Sequence, residues 1–171
     1  SNAFIPVLTE YTETHDRKSL SEFLNAQFGA LSTVLGMVVA IGIIMSPFVI
    51  MVFAPGFERE SDRYLLSVEL LKITFPYLAF ISLTALFASV LNVFGKFAIP
   101  AFTPALLNIS IITVAIFLSP LLSAPIYSLA IGVFIGGVLQ LVLQYTSVRK
   151  LGFHLNVTLG FRHDGVKKVF K

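Results

Sequence analysis

The run FGALSTVLGMVVAIGIIMSPFVIMVF, residues 28–53, holds 26 residues and no charge. No other feature limits the chain so strongly. A helix needs about 20 residues to cross a hydrocarbon core of about 30 Å, so this run spans with length to spare, taken up by tilt or by a bend at Pro47. Residues 73–94, 100–122 and 126–148 form three further uncharged runs. With 56% hydrophobic and 12% charged residues and a mean hydropathy of +0.89, the chain reads as all-α. The expected form is a polytopic membrane bundle of four transmembrane helices with a short helical segment ahead of them.

The rest of the chain divides around these spans. Residues 1–27 read as the tail of a preceding helix plus a connection, and Ser1, Asn2 and Ala3 fit either a cleaved tag or native sequence. Residues 54–72 open on Pro55-Gly56, a helix stop. Tyr64, Leu65, Val68 and Leu71 then recur at helical spacing between charges, which fits an amphipathic interfacial helix or a solvated loop. Residues 95–99 form a short connection, and 149–171 a basic tail. The whole reads as a piece of something larger.

Charge asymmetry gives an orientation. One side carries nine Lys and Arg: Arg17, Lys18, Lys96, Arg149, Lys150, Arg162, Lys167, Lys168 and Lys171. The other carries Arg59, Arg63 and Lys72. The positive-inside rule therefore puts both ends in the cytoplasm and residues 54–72 outside. The net charge of +3 has this membrane explanation, which leaves nucleic-acid binding without support.

The spans hold no Asp, Glu, Lys, Arg or His in their central turns, so they offer no proton relay, intramembrane ion pair or metal site. With no cysteine, disulfides and thiolate metal sites are out. His15, His154 and His163 lie in terminal segments and read as solvated. No catalytic set forms, no cofactor is implied, and an enzyme is not expected.

Amides remain. An Asn or Gln side chain cannot satisfy all its hydrogen-bonding sites on its own helix, so Asn108, Gln140 and Gln144 must each meet another helix or line a cavity. Gln140 and Gln144 are four apart and share a face. Gly132-Val-Phe-Ile-Gly136 is a GxxxG pattern for close helix approach. In FGKFAIPAFTPALLNIS, residues 94–110, Lys96 reads as an orientation anchor able to reach lipid phosphates. Pro100 and Pro104 suggest an extended entrance, with the regular helix starting near Pro104. Pro76 falls in the first turn of its span, and these three prolines are the candidate hinges or helix starts.

Five separated blocks, AFIPVLTEY (3–11), PFVIMVFAPGF (47–57), LLKITFPYLAFISL (70–83), LNVFGKFAIPAFTPALLNIS (91–110) and GGVLQLVLQ (136–144), together and in this order resemble the MurJ (MviN) family of bacterial lipid II flippases. The resemblance implies part of a multidrug/oligosaccharidyl-lipid/polysaccharide exporter fold, namely the end of the second helix and helices three to six of the N-terminal lobe. It implies transport of lipid II, an undecaprenyl-linked disaccharide-pentapeptide, to the outer leaflet of the inner membrane by alternating access. The implied partners are lipid II, membrane lipids and the remaining helices of the same transporter. The family's cavity arginines lie mainly on its first two helices and at the start of its other lobe, and fall on no residue here. Two other readings stay open: an exporter of another lipid-linked oligosaccharide, and a membrane assembly module that transports nothing.

Overall fold

A computed structural model describes residues 4–59, 61–155 and 165–166. Every element among them is helical, in agreement with the all-α membrane bundle expected from the sequence. Of the basic tail, Arg162, His163, Lys167, Lys168 and Lys171 lie outside the described residues, as does Glu60.

Helix α1, Phe4–Thr14, leads into α2, Arg17–Ile44. Asp16 caps α2 from an extended backbone, its carboxylate accepting the Ser19 N–H at 3.0 Å. Bonds from the Ser19 side chain and backbone hold the Asp16 carboxyl below its ordinary 3.8. The helix thus starts at Arg17, well before the uncharged run at residue 28. Its first turns already carry an inward face, with Leu20, Phe23, Leu24 and Gln27 buried.

The bend expected at Pro47 is a break. Met45 separates α2 from α3, Ser46–Phe53. Pro47 has no N–H to give the carbonyl of Ile43, and the Ser46 hydroxyl donates to that carbonyl instead, at 2.9 Å. The apolar run is therefore carried by two helices.

Residues 62–74 are helical rather than a solvated loop: α4 spans Asp62–Thr74, capped by Ser61, with Asp62 in its first turn and Lys72 in its last. The apolar stripe is narrower than its sequence spacing, because Tyr64 and Val68 are buried while Leu65 is exposed. Phe75 and Pro76 keep helical dihedrals between α4 and α5, Tyr77–Val93. Pro76 thus precedes the first turn of α5 and forms its joint with α4.

A Schellman motif ends α5. The Lys96 N–H donates to Leu91 at 2.8 Å and the Gly95 N–H to Asn92 at 3.0 Å. Gly95 takes φ +71, open to glycine at little cost. Next, α6 runs Ala98–Leu118 and corrects the expected extended entrance. Pro100 lies in the first turn, where backbone N–H groups have no helical acceptor and its missing donor costs nothing. Pro104 sits inside the helix and deletes one bond, to the carbonyl of Pro100. A short 3₁₀ turn, Ser119–Leu121, leads to α7, Tyr127–Lys150.

Four stretches are long and apolar enough to cross a membrane: Arg17–Ile44, Asp62–Val93, Ala98–Leu121 and Tyr127–Lys150. Helix α7 is central, packed on α5 and α6, while α2 packs on α5. The densest core is at one end, where Phe4, Leu8, Tyr11 and Phe23 meet Phe87, Val90, Leu91, Val148 and Phe153. Arg17 closes that end. Its guanidinium donates to the carbonyl of Leu151 and lies 5.4 Å from the ring centroid of Phe153.

Candidate functional site

Buried polar residues are scattered over α2, α3 and α5, at Gln27, Ser46, Thr84 and Ser89, but those that bond from one helix to another concentrate along the seam between α6 and α7. On α7, Ser128, Gly132, Gly136, Gln140 and Gln144 follow one another at intervals of four and are all buried. Such spacing stacks residues on one helix face, so a single stripe meets α6 over almost its full length.

The glycines let the two backbones approach. A Cβ on Gly132 would stand 2.8 Å from the Cα of Ile111, and one on Gly136 would stand 2.8 Å from Leu107 Cδ1 and 3.1 Å from its Cα. Close approach brings the Ser110 hydroxyl within 2.8 Å of the Gly132 carbonyl, to which it donates. One turn of α7 further on, the two amides take over.

Both amides converge on Thr103. Gln140 Nε2 donates to the Thr103 carbonyl at 2.9 Å, and Gln144 Nε2 to Thr103 Oγ1 at 2.8 Å. Thr103 Oγ1 itself donates to the carbonyl of Ile99 at 2.8 Å. Thr103 immediately precedes Pro104, so the side chains that cross-link the helices grip α6 beside its one missing internal bond. The arrangement fixes register between α6 and α7 with neutral groups and places no charge at bilayer depth.

Of the residues singled out in the sequence, Gly132, Gly136, Gln140 and Gln144 come together here. Asn108 does not join them. It is exposed on the opposite side of α6 from Ser110 and bonds no other described helix, so of the two roles expected for it, a partner on another helix or a place lining a cavity, neither is met by the described helices. The reason is angular: two residues turn a helix by roughly 200°. Lys96 is exposed in the α5–α6 connection and Pro76 lies at the α4–α5 joint, both away from the seam.

Thr103 escaped sequence reasoning because a membrane Ser or Thr usually bonds its own helix. Its signal was indirect: two amides sharing a face require acceptors opposite them. A second polar group joins the far ends of α4, α3 and α7. Tyr64 donates its hydroxyl to the Pro47 carbonyl at 2.9 Å, and the Tyr127 hydroxyl donates to Glu69. Among the described residues, no group of three or more His, Cys, Asp or Glu is arranged to hold a metal.

The family described as "Lipid II flippase MurJ" matches the chain over residues 1–171. "Lipid II flippase MurJ" of Burkholderia cenocepacia is 36% identical over 173 residues, covering 99% of this chain and 34% of the relative. "Probable lipid II flippase MurJ" of Buchnera aphidicola subsp. Schizaphis graminum is 40% identical over 169 residues, covering 99% of this chain and 33% of the relative. Among solved structures, "Lipid II flippase MurJ, inward closed conformation" superposes with a TM-score of 0.72 at 26% identity, over 98% of this chain and 37% of that one. The chain thus spans about a third of the length of the curated relatives it matches. With the family matched from the first residue to the last and the helical arrangement shared with a solved flippase, the chain belongs to the MurJ family of lipid II flippases.

Proposed function

We propose that the chain is the part of a lipid II flippase that forms helices three to six of the N-terminal lobe, with the end of the helix before them. The parent protein carries undecaprenyl-linked disaccharide-pentapeptide from the inner to the outer leaflet of the bacterial inner membrane by alternating access. Both ends of this segment face the cytoplasm, as its nine-to-three distribution of Lys and Arg supports.

The observation that carries the reading is the match over all 171 residues, joined to a bundle whose α6–α7 seam is cross-linked by neutral polar groups. Such a bundle suits a wall and lever more than a headgroup site. A large anionic headgroup needs cationic, hydrated surroundings, which the remaining two-thirds of the parent supplies; this segment provides walls and hinges and presents apolar helix faces to lipid. Flipping makes and breaks no covalent bond, so the lobe has only to keep its helices together while it rocks.

Depletion of the parent protein in cells with no redundant flippase tests the reading, with lipid II accessibility measured in the outer leaflet. Outward-facing lipid II should fall several-fold. Undiminished outward lipid II would reject the assignment, and a fall in some other lipid-linked oligosaccharide would reassign the substrate.

A further inference from the structure

The seam between α6 and α7 leaves two acceptors unmatched. Gln140 Oε1 and Gln144 Oε1 are buried and meet no donor among the described residues. Their residues are 2% and 1% exposed, so each oxygen is enclosed by the helices already described. Another helix of the parent protein cannot reach them without prising the seam apart.

Exchange of the amide O and N does not remove the problem. Gln140 points its nitrogen at the Thr103 carbonyl, which only accepts. Gln144 points its nitrogen at Thr103 Oγ1, whose single proton is already given to Ile99. Both nitrogens are therefore pinned and both oxygens must face away from Thr103. A third acceptor lies in the same turn of α6: Pro104 lacks the N–H that would otherwise serve the carbonyl of Pro100.

A buried oxygen of this kind asks for a small proton donor. A monovalent cation is a poor guest, because two amide oxygens and no carboxylate fall far short of the shell that would replace its hydration. Water fits the balance: it brings two donors, enters a polar site, and is commonly held in proteins by a few otherwise unmatched groups.

We propose that the α6–α7 seam encloses ordered water donating to Gln140 Oε1 and Gln144 Oε1, beside the proline break of α6. The water makes Thr103–Pro104 a wet pivot. When α6 flexes at Pro104, a water can follow the amide oxygens where a direct protein donor would have to be broken. The site lies wholly within this segment and stands whatever the parent protein carries.

The test is a structure of the full-length parent at a resolution that shows ordered water, combined with X-ray radiolytic labelling of the same protein in nanodiscs. Density within hydrogen-bonding distance of one or both Oε1 atoms is expected. Oxidation of Leu107, across the seam, should fall several-fold in the Gln140→Leu, Gln144→Leu double variant. A dry seam in the wild-type map, or both oxygens bonded to protein donors, would overturn the proposal even if the double variant failed to fold. So would a stabilisation by sodium over choline that disappears in the double variant, because the guest would then be a cation.

Discussion

Ser110 and Asn108 stand two residues apart on α6 and face opposite ways. The Ser110 hydroxyl bonds the Gly132 carbonyl inside the seam, whereas Asn108 is exposed near the middle of a helix that runs from Ala98 to Leu118. Stability and function should therefore separate. In the full-length parent, Ser110→Ala should cost about 1 kcal/mol and lower the thermal midpoint, while Asn108→Leu should leave it almost unchanged. Complementation of a flippase-depleted strain should rank them the other way, since an amide at that depth must face water or a polar group elsewhere in the parent. Equal effects of the two variants in both assays would count against this division. Asp16 offers a test by pH. Its folded-state value is depressed, so its contribution is present above the ordinary 3.8 and lost as the pH falls through the lowered value. Asp16→Asn, which keeps an N-cap side chain, should flatten the acid limb of the melting profile. Of the candidate residues, the amides on α7 were legible because a spacing of four puts them on one face of any helix. The direction of Asn108 was not, because it depends on which side of α6 the neighbour packs, and α6 carries apolar residues on every face with its few polar ones on opposite sides.

Between elements, contact distance decides what each glycine is for. A methyl on Gly132 would press on the backbone of Ile111, which cannot turn aside, whereas on Gly136 its nearest neighbour is the movable end of Leu107. Gly132→Ala should accordingly destabilise the parent by about 1–3 kcal/mol and Gly136→Ala by less, read from thermal midpoints. Reversal of that order would mean that α6 and α7 adjust along the seam more freely than their spacing indicates. Pro104→Ala restores the missing N–H and should raise the thermal midpoint while slowing transport, and unchanged transport would remove the pivot. The GxxxG pattern announced close helix packing in advance, but not its partner. The start of α6 was read wrongly from the same chemistry that explains it: proline is excluded from helix interiors by its missing N–H, yet that N–H is superfluous in the first turn. Likewise α4 was legible as an amphipathic stretch, while its ties to Pro47 and Tyr127 join residues 17 and 58 positions apart and leave no periodic trace.

The molecule as a whole has an orientation that its own composition makes easy to check. With no native cysteine in the segment, single cysteines can be introduced into a parent cleared of any others. A cysteine at Gly56 should react with an impermeant thiol reagent from outside intact cells, and one at Lys96 only after the inner face is opened. Labelling of both from the same side would reject the topology. The number of membrane helices was readable because each needs a long uncharged run to cross the hydrocarbon core. The fastening of the bundle was not readable, because Arg17 reaches Leu151 across 134 positions of sequence. That fastening has a consequence for biosynthesis. A ribosome delivers α2 long before the turn that follows α7, so the guanidinium must wait through three membrane insertions before its acceptor exists. Until then the amino-terminal end of α2 has α1 and α5 to pack against but lacks its polar tie to the turn after α7. That tie forms only once the turn after α7 has been made, so the order of synthesis is part of how this segment reaches its shape.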